Sequence, residues 1–176
     1  MKEKIYMCES VLINGKNKKQ HVGLGLFTHH KENYLPSYYT DFQKDCIYLR
    51  PNPKLNQTSH FMNLNYQDLN KIEFSLCSRL KSASPLPLPN FYYLVDLILY
   101  INTLEIHIEI HADAFIPELW EYLKNKPVRI ADPFKLMSLT NNPNKFNTAF
   151  IDFCNQHFDD LAALYHLDHP RKRNSY

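Results

Sequence analysis

Glycine is nearly absent from this chain of 176 residues: three occur, where ordinary usage of ~7% would supply about four times as many. That scarcity excludes the Gly-rich loops that cradle phosphates, and neither a Walker-type sequence nor a Gly-x-Ser-x-Gly elbow occurs. Charge of one sign is lacking too. A formal net charge of +2 argues against a dedicated nucleic-acid coat or a polybasic membrane binder. Long apolar runs are missing: the longest, Phe91 to Ile101, contains Asp96 and falls well short of the ~20 residues that span a bilayer. No membrane insertion is expected. The four cysteines, Cys8, Cys46, Cys77 and Cys154, form no Cys-x-x-Cys pair, which speaks against zinc ribbons and dithiol redox chemistry. Free thiols in a reducing cytoplasm are expected instead, and Met1 to Lys4 run into Ile5 without a signal-peptide apolar region.

What is present is aromatic. Phe, Trp and Tyr make up 14% of the chain, chiefly twelve Tyr and eleven Phe. The length suits one domain able to bury a core without disulfides or metal.

The first two-thirds reads as strands. Ile5, Met7, Val11 and Ile13 alternate up to Asn14-Gly15, a strong hairpin signal. Val22, Leu24 and Leu26 mark the expected return strand, followed by a non-periodic aromatic loop over His29 to Asp45. Short strands follow at Cys46 to Leu49, Phe61 to Tyr66 and Asn70 to Cys77. Pro85, Pro87 and Pro89 then make an extended connector that cannot sit inside a sheet. Phe91 to Ile101 and Leu104 to Ala112 form a hairpin through Asn102-Thr103. Beyond it, Pro117 and the stripe of Phe115, Leu119, Tyr122 and Leu123 predict a helix, and Asn142-Pro143 opens a second. Strands preceding helices give an α+β domain: an antiparallel, strongly bent sheet or small barrel of about seven strands with a capping helix. The expected organisation is a sheet domain over 4–125, a connector and C-terminal helix over 126–168, and a basic tail over 169–176.

Three features carry a family resemblance: the Asn14-Gly15 hairpin, the run Asn65 to Ile72, and the last strand followed by Phe115 to Leu123. Together they resemble bacterial pleckstrin-homology-like domains over roughly residues 4 to 125. The resemblance implies a barrel that docks proteins or peptides, or phosphoinositide headgroups in eukaryotic members, without catalytic residues. It also implies an anion-binding role for the first hairpin loop, where Lys16, Lys18 and Lys19 stand. The family's Arg in the next strand is missing, with His21-Val22-Gly23 in its place, which argues against headgroup recognition.

The most unusual run is Glu105-Ile106-His107-Ile108-Glu109-Ile110-His111-Ala112-Asp113. In a strand, the isoleucines line one face and the acidic residues and histidines share the other. The simplest expectation is a core face and a solvated face. The sharper one is a divalent-metal site in which His107 and His111 converge and Glu109 serves as ligand or general base. Tyr34, Tyr38, Tyr39 and Phe42 concentrate rigid contact area of the kind protein hot spots use. They could equally stack on single-stranded bases, with Arg171-Lys172-Arg173 on the phosphates. The function expected is a non-catalytic adaptor docking a protein partner with no cofactor. A metal-dependent enzyme and single-stranded nucleic-acid binding stand as alternatives. Self-association is expected to run through the C-terminal helix.

Overall fold

A computed structural model of the protein describes residues 3–8, 11–17, 38–51, 62–81, 90–110 and 116–139, together with positions 160 and 163. Ten strands in these segments form two five-stranded sheets. The first sheet has the order β1 (Glu3–Cys8), β9 (Leu104–Ile110), β8 (Asn90–Ile101), β7 (Lys71–Lys81), β10 (Ile130–Ala131). The second has the order β3 (Lys16–Asn17), β2 (Val11–Ile13), β4 (Tyr38–Phe42), β5 (Cys46–Pro51), β6 (Met62–Asn65). One helix, α1 (Ile116–Leu123), is described in full. The class is α+β, with mixed rather than wholly antiparallel sheets: β1 runs parallel to β9, β2 to β4, and β10 to β7. Parallel pairs join segments far apart in sequence, so no local periodicity announces them.

The chain changes sheet twice. The apolar alternation of Ile5 to Ile13 is divided between two strands: β1, ending at Cys8, joins the first sheet, and β2, starting at Val11, joins the second. Between β6 and β7, Tyr66–Asp68 makes a 3-10 turn in which Asn65 Nδ2 donates to Asp68 Oδ2 at 2.9 Å. Tyr66 anchors that turn from within the core, its hydroxyl donating to the Gln43 carbonyl at 3.1 Å. One core unites the two sheets: Val11, Phe42, Ile47 and Leu49 from the second meet Ile72, Phe74, Leu97 and Ile106 from the first. α1 adds Ile116, Leu119 and Leu123 at three- and four-residue spacing. Each such side chain, fully buried, contributes about 1.5–3 kcal/mol.

The Asn14-Gly15 hairpin is present, with β3 returning at once. Ile13 pairs with Lys16, and Asn14 and Gly15 have φ of 50° and 73°, the left-handed pair a two-residue turn demands. A Cβ added at Gly15 would meet open space, so Gly15→Ala carries a conformational cost alone. The variant is expected to lose about 1–2 kcal/mol in urea unfolding. The turn is tied down from two sides. Gly15 N–H donates to Asp41 Oδ1 at 3.0 Å, and the Tyr122 hydroxyl on α1 donates to Asn14 Oδ1 at 3.0 Å.

The segment 38–42, expected as loop, is a strand. Thr40 and Asp41 are buried within it, and these two polar residues hide its alternation. Asp41 tolerates burial because it accepts from Gly15 N–H and from Gln43 Nε2. The connector after α1 also contributes structure, since Ile130 and Ala131 pair with Ile72 and Glu73 at the sheet edge. Asp132 then caps a 3-10 turn over Leu136–Leu139, accepting from Leu136 N–H at 2.8 Å and Met137 N–H at 2.9 Å. Burial raises its carboxyl above the ordinary 3.8, and the two N–H bonds offset part of that rise. The folded state therefore holds this proton more tightly than the unfolded chain. The group's contribution to stability is complete below 3.8 and is lost as pH rises through the folded value. Asp132→Asn keeps the acceptor without the titration. The stability of the wild type relative to this variant is expected to fall with rising pH across that window. Urea midpoints at a series of pH values check it, and a flat difference would contradict it. The return strand expected at 21–28 and the second helix expected from Asn142 lie outside the described residues.

Candidate functional site

Strand register sorts the first sheet into two unlike faces. Ile72, Phe74 and Leu76 on β7, Val95, Leu97 and Leu99 on β8, and Ile106, Ile108 and Ile110 on β9 meet in rows and point into the core. The opposite face carries three rows across the same strands: Lys71, Tyr100, Glu105; Glu73, Ile98, His107; and Ser75, Asp96, Glu109. In parallel register, Lys4, Tyr6 and Cys8 of β1 extend these rows beside Glu105, His107 and Glu109.

This second face is not solvated. Asp96 and His107 are each 1% exposed, Glu109 is 4% exposed, and Glu73, Ser75, Ile98 and Glu105 are also buried. The expectation of a core face and a water-facing face is thereby corrected: both faces are buried. Alternation in a strand reports which residues share a side, not what covers that side. Buried carboxylates at this density are uncommon, because removing a charge from water is expensive unless it is paired or hydrogen-bonded.

The pairing is specific. His107 Nδ1 lies 2.8 Å from Asp96 Oδ2 on the neighbouring strand, a diagonal contact within reach of long side chains. With a carboxylate accepting, Nδ1 carries the hydrogen. The other ring nitrogen, Nε2, stands 3.7 Å from Glu105 Oε2 along the same strand. A second cluster forms on β7, where Lys71 Nζ donates to Glu73 Oε2 at 2.6 Å and lies 4.1 Å from the centre of the Tyr100 ring. The Tyr100 hydroxyl makes a long contact, 3.5 Å, with the same oxygen. Burial, then the charges of Glu73, Glu105 and Asp96, push that hydroxyl well above its ordinary range and keep it protonated. Glu73 Oε1 is buried without a hydrogen-bond partner among the described residues.

Of the residues singled out from the sequence, His107 and Glu109 stand on this face, while His111 lies outside the described residues. Among the described residues, no group of three His, Cys, Asp or Glu side chains closes on a metal position. Phe42 is 0% exposed and part of the core, so it cannot serve as a partner contact; it sits on the inward face of β4 opposite Ile47. Tyr38 and Tyr39 fall in β4, opposite Pro51 and Arg50, and Tyr34 lies outside the described residues. Lys16 is exposed beside the hairpin turn, and Lys18 and Lys19 lie outside the described residues. Asp96 and Glu73 carry no role in the sequence reading, and Glu105 enters it only as a member of the charged face of its strand. The signal for Asp96 was available: a tight Asn102-Thr103 hairpin puts 101 opposite 104, which brings 96 opposite 109.

Compared with protein-family models, with curated proteins and with solved structures, the chain matches none. No described helix is long and apolar enough to cross a membrane.

Proposed function

We propose that the protein is a non-catalytic binding module that docks a protein partner. What supports this reading is the burial of an acid–base pair among the described residues. Asp96 and His107 are each 1% exposed and are joined by a 2.8 Å hydrogen bond. Side chains so enclosed stiffen a fold, and recognition passes to the surface. The contact proposed is the tyrosine group Tyr34, Tyr38 and Tyr39, with Lys16, Lys18 and Lys19 available to anionic groups of the partner. The frame proposed for it is a small barrel of the pleckstrin-homology kind capped by α1. A second helix in the C-terminal segment would pack on that barrel or pair with another copy, and the site of action would be the cytoplasm.

The test is capture from extract of the source cells by wild type and by a Tyr38→Ala/Tyr39→Ala variant. The variant is expected to lose the proteins that wild type retains. Equal capture of the same proteins by both defeats the tyrosine contact. A single-stranded oligonucleotide shift that weakens steeply with salt would replace the protein partner by nucleic acid.

A further inference from the structure

We propose that Tyr66, Tyr122 and the Lys44 carbonyl form a binding site for a methylated ammonium ion, which the chain's own Lys126 occupies as a tethered competitor. Three observations lead there. The first is the company the Lys126 ammonium keeps. Its Nζ lies 4.0 Å from the centre of the Tyr122 ring and 5.3 Å from that of Tyr66, and it donates to the Lys44 carbonyl at 2.8 Å. It makes no ion pair among the described residues. A ring face within about 6 Å attracts a cation through its quadrupole, and sets of such rings are what proteins use to take up methylated ammonium groups.

The second observation is that both rings are fixed without the lysine. The Tyr66 hydroxyl donates to the Gln43 carbonyl at 3.1 Å, and the Tyr122 hydroxyl donates to Asn14 Oδ1 at 3.0 Å. The site also reaches from core to surface. Tyr66 is 1% exposed, Tyr122 and Lys126 are half-buried, and Lys44 is exposed.

The third is the count of acceptors. A lysine ammonium has three N–H donors, and one carbonyl meets them here. A dimethylammonium group brings a single N–H for that carbonyl and two methyls for the ring faces. It suits the site better than the lysine that fills it. What Lys126 has in its favour is the tether, which holds it at an effective concentration on the order of millimolar. The site uses none of the residues proposed to dock a protein, and its failure would leave that contact standing.

The experiment titrates the full chain with N,N-dimethylbutylammonium chloride and follows the ligand's methyl proton signal, which ring faces move upfield. Lys126→Ala removes the competitor and should bind the ion saturably, at least tenfold more tightly than wild type. Adding Tyr122→Leu to that variant should abolish binding, and unmethylated butylammonium should bind it at least tenfold more weakly. A short peptide with one dimethyllysine separates the sources: tighter binding than the free amine is expected if a partner's side chain is the ligand, and equal binding if the free amine is. Absence of saturable binding by folded Lys126→Ala overturns the site. So does binding that Tyr122→Leu leaves intact, or equal affinity in wild type and Lys126→Ala. Butylammonium bound as tightly as its dimethyl form overturns the ligand class. If Lys126→Ala does not fold, wild type decides: the ion should still saturate it at about tenfold higher concentration, and Tyr122→Leu alone should remove that binding. No saturation there overturns the site.

Discussion

Asp96→Ala is expected to destabilise the protein by about 3–5 kcal/mol, among the largest losses any single substitution here should produce. The reason lies in asymmetry. The Asp96–His107 pair itself adds little net stability, because the attraction between the partners is offset by the cost of taking both from water. Removing one partner takes the 2.8 Å contact from the other, which stays enclosed at 1% exposure where water cannot replace it. His107→Ala should therefore cost a similar amount. The double variant should fall well short of the sum, with a coupling energy of up to about 3 kcal/mol. Urea unfolding of the four proteins checks this. Strictly additive losses would show that the 2.8 Å contact is energetically inert and that each residue is held by other neighbours.

That pair also marks where local reading of the chain stops. The Asn14-Gly15 turn, the Asn102-Thr103 hairpin and α1 are each written in a few adjacent residues, by backbone conformations that favour Asn and Gly or by apolar spacing. The division of β9 into Ile106, Ile108 and Ile110 against Glu105, His107 and Glu109 is equally local. Burial of the charged side is not, since alternation fixes which residues share a side and not whether that side meets water. β4 shows the same limit in reverse. Its buried Thr40 and Asp41 make a core strand read as a polar loop, and what licenses Asp41 is a hydrogen bond from Gly15, twenty-six positions away. Phe42 follows the same rule: an aromatic next to Asp41 reads as surface, yet it stands opposite Ile47 and is fully buried.

Phe74→Ala tests the other half of the architecture, the apolar face that joins sheet to helix. Phe74 is fully buried on β7, and its ring meets Trp120 of α1 edge-on, with centroids 5.2 Å apart at 72°. Truncating a phenylalanine in such a site costs about 3–5 kcal/mol, from lost burial and from the cavity left behind. The edge-to-face contact adds about 0.5–1.5 kcal/mol of that interaction beyond area alone. Because Trp120 is the single tryptophan of the chain, the loss has its own optical signature. The variant should unfold at markedly lower urea, and its native emission should shift to the red as water or a looser packing reaches the indole. Phe74→Leu should restore most of the stability while leaving the altered emission, since it refills volume without replacing the ring. Should both variants keep the wild-type spectrum, α1 would not be held to the sheet through this pair, and its docking would rest on Ile116, Leu119 and Leu123 alone.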